Sequence, residues 1–271
     1  MSPAPVQGAT DGFGEALRSW RRHRGLSQLD LSLEAGVSSR HVSFLETGRS
    51  SPSQEMVLRL LDTLEVPLWD RNRVLLAAGY APAYSESSLD DKNLAQIRRV
   101  VRLLLDRHEP YPAYAIDGAW NVIEANRPYL AFLESLAGDP AETRNVLCQL
   151  CAPHLFRPFV TNWEEVMRAV LRRVRRQLDA PEPPAALATV VDEIIAYPGV
   201  TTLLRAAGAP AAHDLFIPIE VRQGDATLSW ITTLITIGGA LDVAIDELVV
   251  ECFFPADAET EQLALELAGN A

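Results

Sequence analysis

The sequence predicts a chain of two classes: an all-α, five-helix head over residues 13–80 and an α+β body over 93–271 with helices wrapped around an antiparallel sheet. Three observations predict it. Up to about residue 80 the apolar residues recur at three and four, the helical period, with no alternation. From Tyr111 the period shortens to two, and it does so again in the last third. Between the two regimes AYSESSLDD has linker composition and no apolar period, so 81–92 is set apart as a linker. A length of 271 residues suits about two domains.

The head is read in order. The opening MSPAPVQGATDG, 1–12, lacks both a basic start and an apolar core and is expected to be a disordered arm, not a signal peptide. Phe13, Leu17 and Trp20 place one face of a helix that Gly25 ends. Ser27 caps a second helix with Leu31 and Ala35 inward, and Gly36 supplies the left-handed C-cap. After the turn residue Val37, Ser38 caps a third helix whose Val42 and Leu45 are buried. Pro52 breaks the next loop, and Ser53 caps a helix with Val57, Leu60, Leu61 and Leu64 inward. Leu68 to Ala78 forms the fifth, closed by Gly79.

The third helix turns small polar groups and one long cation outward: Ser39, Arg40, Ser43 and Thr47. Short hydroxyls beside an arginine near a helix N-terminus suit a DNA major groove, where arginine reads guanine with two hydrogen bonds. The plainer alternative is an amphipathic hairpin with a polar outer face. The stretch Phe13 to Tyr80, and above all LSQLDLSLEAGVSSRHVSFLETGR, resembles the phage-repressor-like helix-turn-helix family called XRE or Cro/C1. The resemblance implies DNA contacts from Gln28, Ser38, Ser39, Arg40, His41, Ser43, Phe44, Thr47 and Arg49, and an ion pair between Arg21 and Glu46. Ser39 stands where many relatives carry Gln, so the base sequence is not carried over.

In the body, a helix from Asn93 to Asp106 carries a stripe of Leu94, Ile97, Val101 and Leu104 or Leu105, with Arg98, Arg99 and Arg102 on a solvent face or at an interdomain or dimer contact. PYPAYAID and AWNVIEAN around Gly118 read as a β-hairpin. Asn126 then opens a helix holding Tyr129, Phe132, Leu133 and Leu136. Asn162 is expected to cap a helix bearing Trp163, Val166, Met167, Val170, Leu171, Val174 and Leu178, its five arginines at 168, 172, 173, 175 and 176 largely off that stripe, on the solvent side or, as the alternative, forming a second nucleic-acid face. A helix at 187–196 precedes strands in DLFIPIEVRQ, ATLSWITTLITIG and DELVVECFFPA, and DAETEQLALELAG closes as a short acidic helix. Strand–strand–helices–three strands is the order of PAS-type sensor folds.

PAYAIDGAWNVIEANR, RNVLCQLC, NWEEVMRAVLRRVR, IAYPGV, ITTLITIG and VECFFPAD, in this order, resemble the MmyB-like ligand-binding domain found behind XRE-type heads. That implies a PAS-like sensor for a small apolar molecule such as a fatty acid. Tyr114, Trp120, Phe132, Phe156, Phe159, Trp163 and Trp230 are the candidate pocket lining, with His154 or Arg157 to meet a carboxylate head. At 151–157 relatives read L-H-P-x-G-L-R; CAPHLFR departs from this, with His154 displaced. Burying a dozen methylenes would contribute roughly 10 kcal/mol gross at about 0.8 per CH₂.

The remaining chemistry narrows the function. Three cysteines without a secretory signal point to a reducing cytoplasm. Cys148-x-x-Cys151, with His154 and Cys252, has zinc or redox potential, but NVLCQLC is apolar and its cysteines are read as small hydrophobes, with no metal. No run of about 18 apolar residues marks a membrane span. No phosphate loop, nucleophile elbow or paired catalytic carboxylates stand out, so no enzyme is expected and no cofactor beyond the apolar ligand. The net charge of −12 falls wholly on 85–271, since 1–84 carries nine arginines and nine acids. Within Phe13 to Arg49 six arginines face four acids, so a small basic patch sits on an acidic chain and affinity for DNA should lean on a homodimer bound to an inverted-repeat duplex. The expectation is a ligand-responsive DNA-binding regulator; the alternative is a body that only dimerises or docks a protein partner.

Overall fold

The computed structural model describes residues 9–85, 95–137, 144–179, 185–206, 217–238 and 242–269. Its contacts divide into two units. Of the described residues, one holds 9–85 and 242–246, and the other holds the rest.

The N-terminal helices are α1 (Ala9–His23), α2 (Gln28–Glu34), α3 (Ser39–Glu46), α4 (Gln54–Thr63) and α5 (Leu68–Ala77). α1 starts at Ala9, so the arm expected over 1–12 is corrected at its end: residues 9–12 are helical, and 1–8 lie outside the described residues. Ser27 and Asp30 form a reciprocal capping box, Oγ accepting from Asp30 N at 3.1 Å and Oδ2 accepting from Ser27 N at 2.9 Å. Ser38 and Ser53 each accept from the backbone three residues on. Gly25 and Gly36 take φ of 70° and 65°, where a Cβ would be strained. The core joins Phe13, Leu17 and Trp20 to Leu31, Val42, Leu45, Val57, Leu60, Leu61 and Leu75. At Gly14 a Cβ would lie 2.7 Å from the Leu45 carbonyl oxygen and 2.8 Å from that of Glu46, so α1 meets the end of α3 at backbone distance.

The chain stays tied to α5 past the expected start of the linker. Asn72 Oδ1 accepts from the backbone N–H of Ala83 and Tyr84, and its amide donates to the Tyr84 carbonyl. Residues 86–94, the rest of that linker and the start of the next helix, lie outside the described residues.

The second unit opens with α6 (Ala95–His108), β1 (Ala113–Ile116), β2 (Val122–Ala125), α7 (Arg127–Ala137) and α8 (Val146–Cys151). A 3-10 turn at Arg157–Phe159 leads to α9 (Trp163–Leu178), α10 (Ala185–Ile194) and α11 (Val200–Ala206), then β3 (Ile219–Gln223) and β4 (Ala226–Thr236). α12 (Val243–Asp246) belongs to the first unit, and β5 (Val249–Pro255) with α13 (Ala258–Gly269) returns to the second. The sheet order is β2-β1-β5-β4-β3 with every neighbour antiparallel. Alternation splits its faces. Ala113, Ala115, Val250 and Cys252 meet Val101 and Leu105 of α6, while Tyr114, Ile116, Trp230 and Phe253 join the larger core with Met167 and Leu171 of α9.

Asn162 precedes α9 as expected, but its capping role is corrected. It makes no side-chain cap bond; Oδ1 accepts from Glu220 N at 3.1 Å and Nδ2 donates to the Pro218 carbonyl at 2.7 Å, tying the helix start to β3. In the first unit Asp246 does the reverse. α5 begins after Pro67 without a local side-chain cap, and Leu68 N–H donates to Asp246 Oδ2 at 3.2 Å.

Candidate nucleic-acid interface and sensor cavity

α3 presents a two-tier outer surface. Ser38, Arg40, Thr47 and Arg49 are exposed; Gln28, Ser39, His41, Ser43 and Phe44 are half-buried. The Phe44 ring organises both arginines, with the Arg40 guanidinium carbon 5.0 Å and that of Arg49 6.0 Å from its centroid. An aromatic shared by two cations restricts their rotamers and offers both on one surface. Thr47 Oγ1 donates back to the Ser43 carbonyl at 2.8 Å, committing its proton to the helix and leaving lone pairs for a donor outside.

Under this surface lies a buried polar cluster. Arg21 grips Glu46 with two bonds, Nε to Oε1 at 2.6 Å and Nη2 to Oε2 at 3.1 Å, and donates to the Leu26 carbonyl at 2.7 Å. Gln28 Nε2 donates to Glu46 Oε2 at 2.8 Å, and Arg18 adds a longer contact at 3.4 Å. Burial drives the Glu46 carboxyl upward, but the Arg21 and Gln28 hydrogen bonds and the Arg21 charge outweigh it and hold it below the usual range. α1, α2 and α3 are thereby fastened at one carboxylate. Gln28, implicated in DNA contact by resemblance, spends an amide N–H on this cluster. Nothing in the sequence reading assigned Arg18 or Gly14; both act at the end of α3.

The second unit encloses a cavity of about 40 Å³ between the sheet and α7, α8 and α9. Of the candidate lining, Tyr114, Trp120, Phe132, Phe156 and Trp230 face it, together with Tyr129, Gln149, Glu251 and Phe253, which the sequence reading did not assign. The other four stand elsewhere. His154 is exposed. Arg157 donates to the carbonyls of Pro198 at 2.8 Å and Cys151 at 3.2 Å, with its guanidinium 3.6 Å from the Trp163 ring centroid. Trp163 donates to the Leu150 carbonyl, and Phe159 packs half-buried on the core. The carboxylate-binding role expected of His154 or Arg157 is therefore corrected: Arg157 braces the loop before α9, and neither side chain lines the cavity.

The cavity is apolar with a few placed polar groups. Tyr114 donates to Glu251 Oε2 at 2.9 Å, and Tyr129 donates to Gln149 Oε1 at 2.8 Å. Burial pushes the Glu251 carboxyl up, against the pull of Tyr114, Arg173 and Thr232, and it pushes the Tyr114 phenol well up. Arg173, expected on the solvent side of α9, instead lies over the Trp120 ring at 4.5 Å and is close enough to Glu251 to act on it. Trp120 holds φ of 70°, strained for an aromatic residue, fixed by its Nε1 bond to Gln177 Oε1 at 2.9 Å. An acid at an inward position of the strand VVECFF was the available signal for Glu251.

Burial pushes the Cys148 and Cys151 thiols up to about 12, away from thiolate chemistry. Among the described residues no group of three metal-capable side chains forms and no helix is long and apolar enough to cross a membrane.

A helix-turn-helix unit braced from beneath is followed in the chain by a sheet domain with an internal cavity, the architecture of a DNA-binding head joined to a ligand-binding domain. Residues 97–266 match the MmyB-like transcription regulator ligand binding domain and 17–68 match the helix-turn-helix family; the chain belongs to this MmyB-like family. It is 29% identical over 121 residues to an uncharacterised HTH-type transcriptional regulator of Mycobacterium tuberculosis, covering 42% of this chain and 47% of that one. It is 35% identical over 75 residues to the uncharacterised HTH-type transcriptional regulator RghRB of Bacillus subtilis, covering 27% and 52%. The chain thus spans about half the length of the curated relatives it matches. Among solved structures it is similar to the clp gene regulator ClgR of Corynebacterium glutamicum, at 30% identity over 28% of this chain and 92% of that one, with a TM-score of 0.24.

Proposed function

We propose that the chain is a cytoplasmic regulator that reads duplex DNA with α3 as a homodimer on an inverted repeat, and that its PAS-like body senses a small apolar molecule, fatty-acid-like in its chain. The carrying observation is the outward pair of arginines steadied by Phe44 on a helix whose end is locked to α1 and α2 through Glu46. Fixed donors on a rigid helix are what base readout requires, because each bond must form without new ordering cost. Arg40, in the first turn of α3, is assigned to base edges and Arg49, past its end, to a phosphate. Arg40→Ala should flatten the preference among duplexes. Arg49→Ala should weaken binding to all of them alike. Equal, sequence-blind losses in both variants, measured on a panel of single-base operator changes, would contradict the assignment.

The apolar cavity with its few polar groups supports sensing, and the sheet order supports the PAS-like reading. Its chemistry is that of binding, not turnover. A ligand that separates two dimer geometries by about 1–3 kcal/mol changes operator affinity roughly 5–150-fold. Native mass spectrometry of the purified protein tests occupancy: a lipid-sized adduct is expected, and a clean apo mass across preparations would count against it. One observation favours a second reading, in which the body dimerises or docks a protein partner. The cavity of about 40 Å³ has room for a few waters at roughly 10–15 Å³ each, so a long acyl chain must displace its walls.

A further inference from the structure

We propose that the cavity selects an uncharged molecule with an apolar body and a hydrogen-bond acceptor, such as a ketone or an ester, which Trp230 Nε1 receives, and that it turns carboxylates away. This rests on the reading of the body as a small-molecule site and narrows it. Trp230 is 2% exposed, lines the cavity, and its Nε1–H is buried with no hydrogen-bond partner among the described residues. Tyr111 and Phe253 hold the indole edge-on, at 6.3 and 6.4 Å between centroids, so the ring is fixed by packing while its one donor is unused. A bare buried donor is unfavourable in the empty protein and becomes favourable when an acceptor arrives. Buried indole nitrogens usually find a partner, as that of Trp120 does here.

The charge of the walls decides the rest. Among the described residues no Arg, Lys or His lines the cavity, whereas Glu251 does, 8% exposed and bonded to Tyr114. The nearest cation, Arg173, lies over the Trp120 ring and already faces Glu251, so an entering carboxylate would lose its water and have to compete with a resident acid for that one charge. Glu251 is itself already served by the Tyr114 hydroxyl and by the nearby Arg173, whereas the Trp230 donor has no partner among the described residues. A neutral acceptor satisfies it at no charge-burial cost.

The test titrates the full chain at pH 7.5 with three eight-carbon probes: octan-2-one, octane and octanoate. Octan-2-one is expected to bind about tenfold more tightly than octane, the usual worth of one buried hydrogen bond, and more tightly still than octanoate. Trp230→Phe keeps an aromatic ring and deletes the N–H. It should bring octan-2-one down to the octane affinity, leave octane unchanged, and melt no lower than the parent. Octanoate binding as tightly as octan-2-one would overturn the inference even if the variant failed to fold, as would a ketone preference that survives Trp230→Phe. Failure of all three probes to bind would remove the small-molecule reading of the body as well, a result distinct from a wrong ranking among probes that bind.

Discussion

Glu46 is where single residues decide most. Its side chain is fully buried and Arg21's is one-tenth exposed, so removing the acid leaves an uncompensated buried guanidinium beside Gln28 and Arg18. Glu46→Ala should destabilise the head by about 3–5 kcal/mol in denaturant melts. The same contacts set an acid limit. A carboxyl held below its unfolded value contributes stability that is present above that value, near pH 4.3, and is lost as pH falls through the lower folded value. Wild type should therefore lose head stability on acidification below about pH 4, and Glu46→Gln should flatten that part of the profile. Gly14→Ala pushes a methyl against two carbonyls of α3 and should cost about 1–3 kcal/mol while Gly25→Asn, in an open left-handed position, costs less. The Arg21–Glu46 pair was legible because the spacing resembles a known head. The role of Gly14 was not, since nothing local distinguishes a glycine in a helix from one forced by a neighbour 30 residues away.

At the scale of elements, capping serines fixed three helix starts in advance, because an N-cap bond lies within four residues of sequence. Asn162 shows where that logic fails: an asparagine in cap position can find a better partner across the fold, here β3. The mirror case is α5, whose first turn is served by Asp246, 178 residues away. Ser38→Ala should loosen the start of α3 by about 1 kcal/mol, visible as faster amide exchange at His41. Asp246→Ala should cost about 0.5–2 kcal/mol of stability in the unit that holds the head, read in the same denaturant melts. The long alternating strands β4 and β5 were readable, while the short α11 and α12 carry too few turns for a period to show. Arg173 was misassigned to solvent because periodicity sees apolar residues and not a cation that covers a tryptophan ring.

For the whole molecule, charge sets the terms. The acidic excess lies outside the head, so the account predicts weak non-specific attraction to DNA and specificity that depends on few cations. The logarithmic salt slope of binding should be shallow, and Arg49→Ala should reduce it by about 1 for each head engaged. The two classes of domain could be read from the change of period alone. The polar lining of the cavity could not, because Glu251, Tyr114 and Gln149 come from β5, β1 and α8, and only the folded chain brings them together. Selection of bound duplexes from a random pool by the full chain tests the central claim most directly. The account predicts enrichment of an inverted repeat with half-sites about 10–10.5 base pairs apart, its base preference flattened by Arg40→Ala. A pool that emerges as random as it entered, from protein shown to be folded, would contradict it.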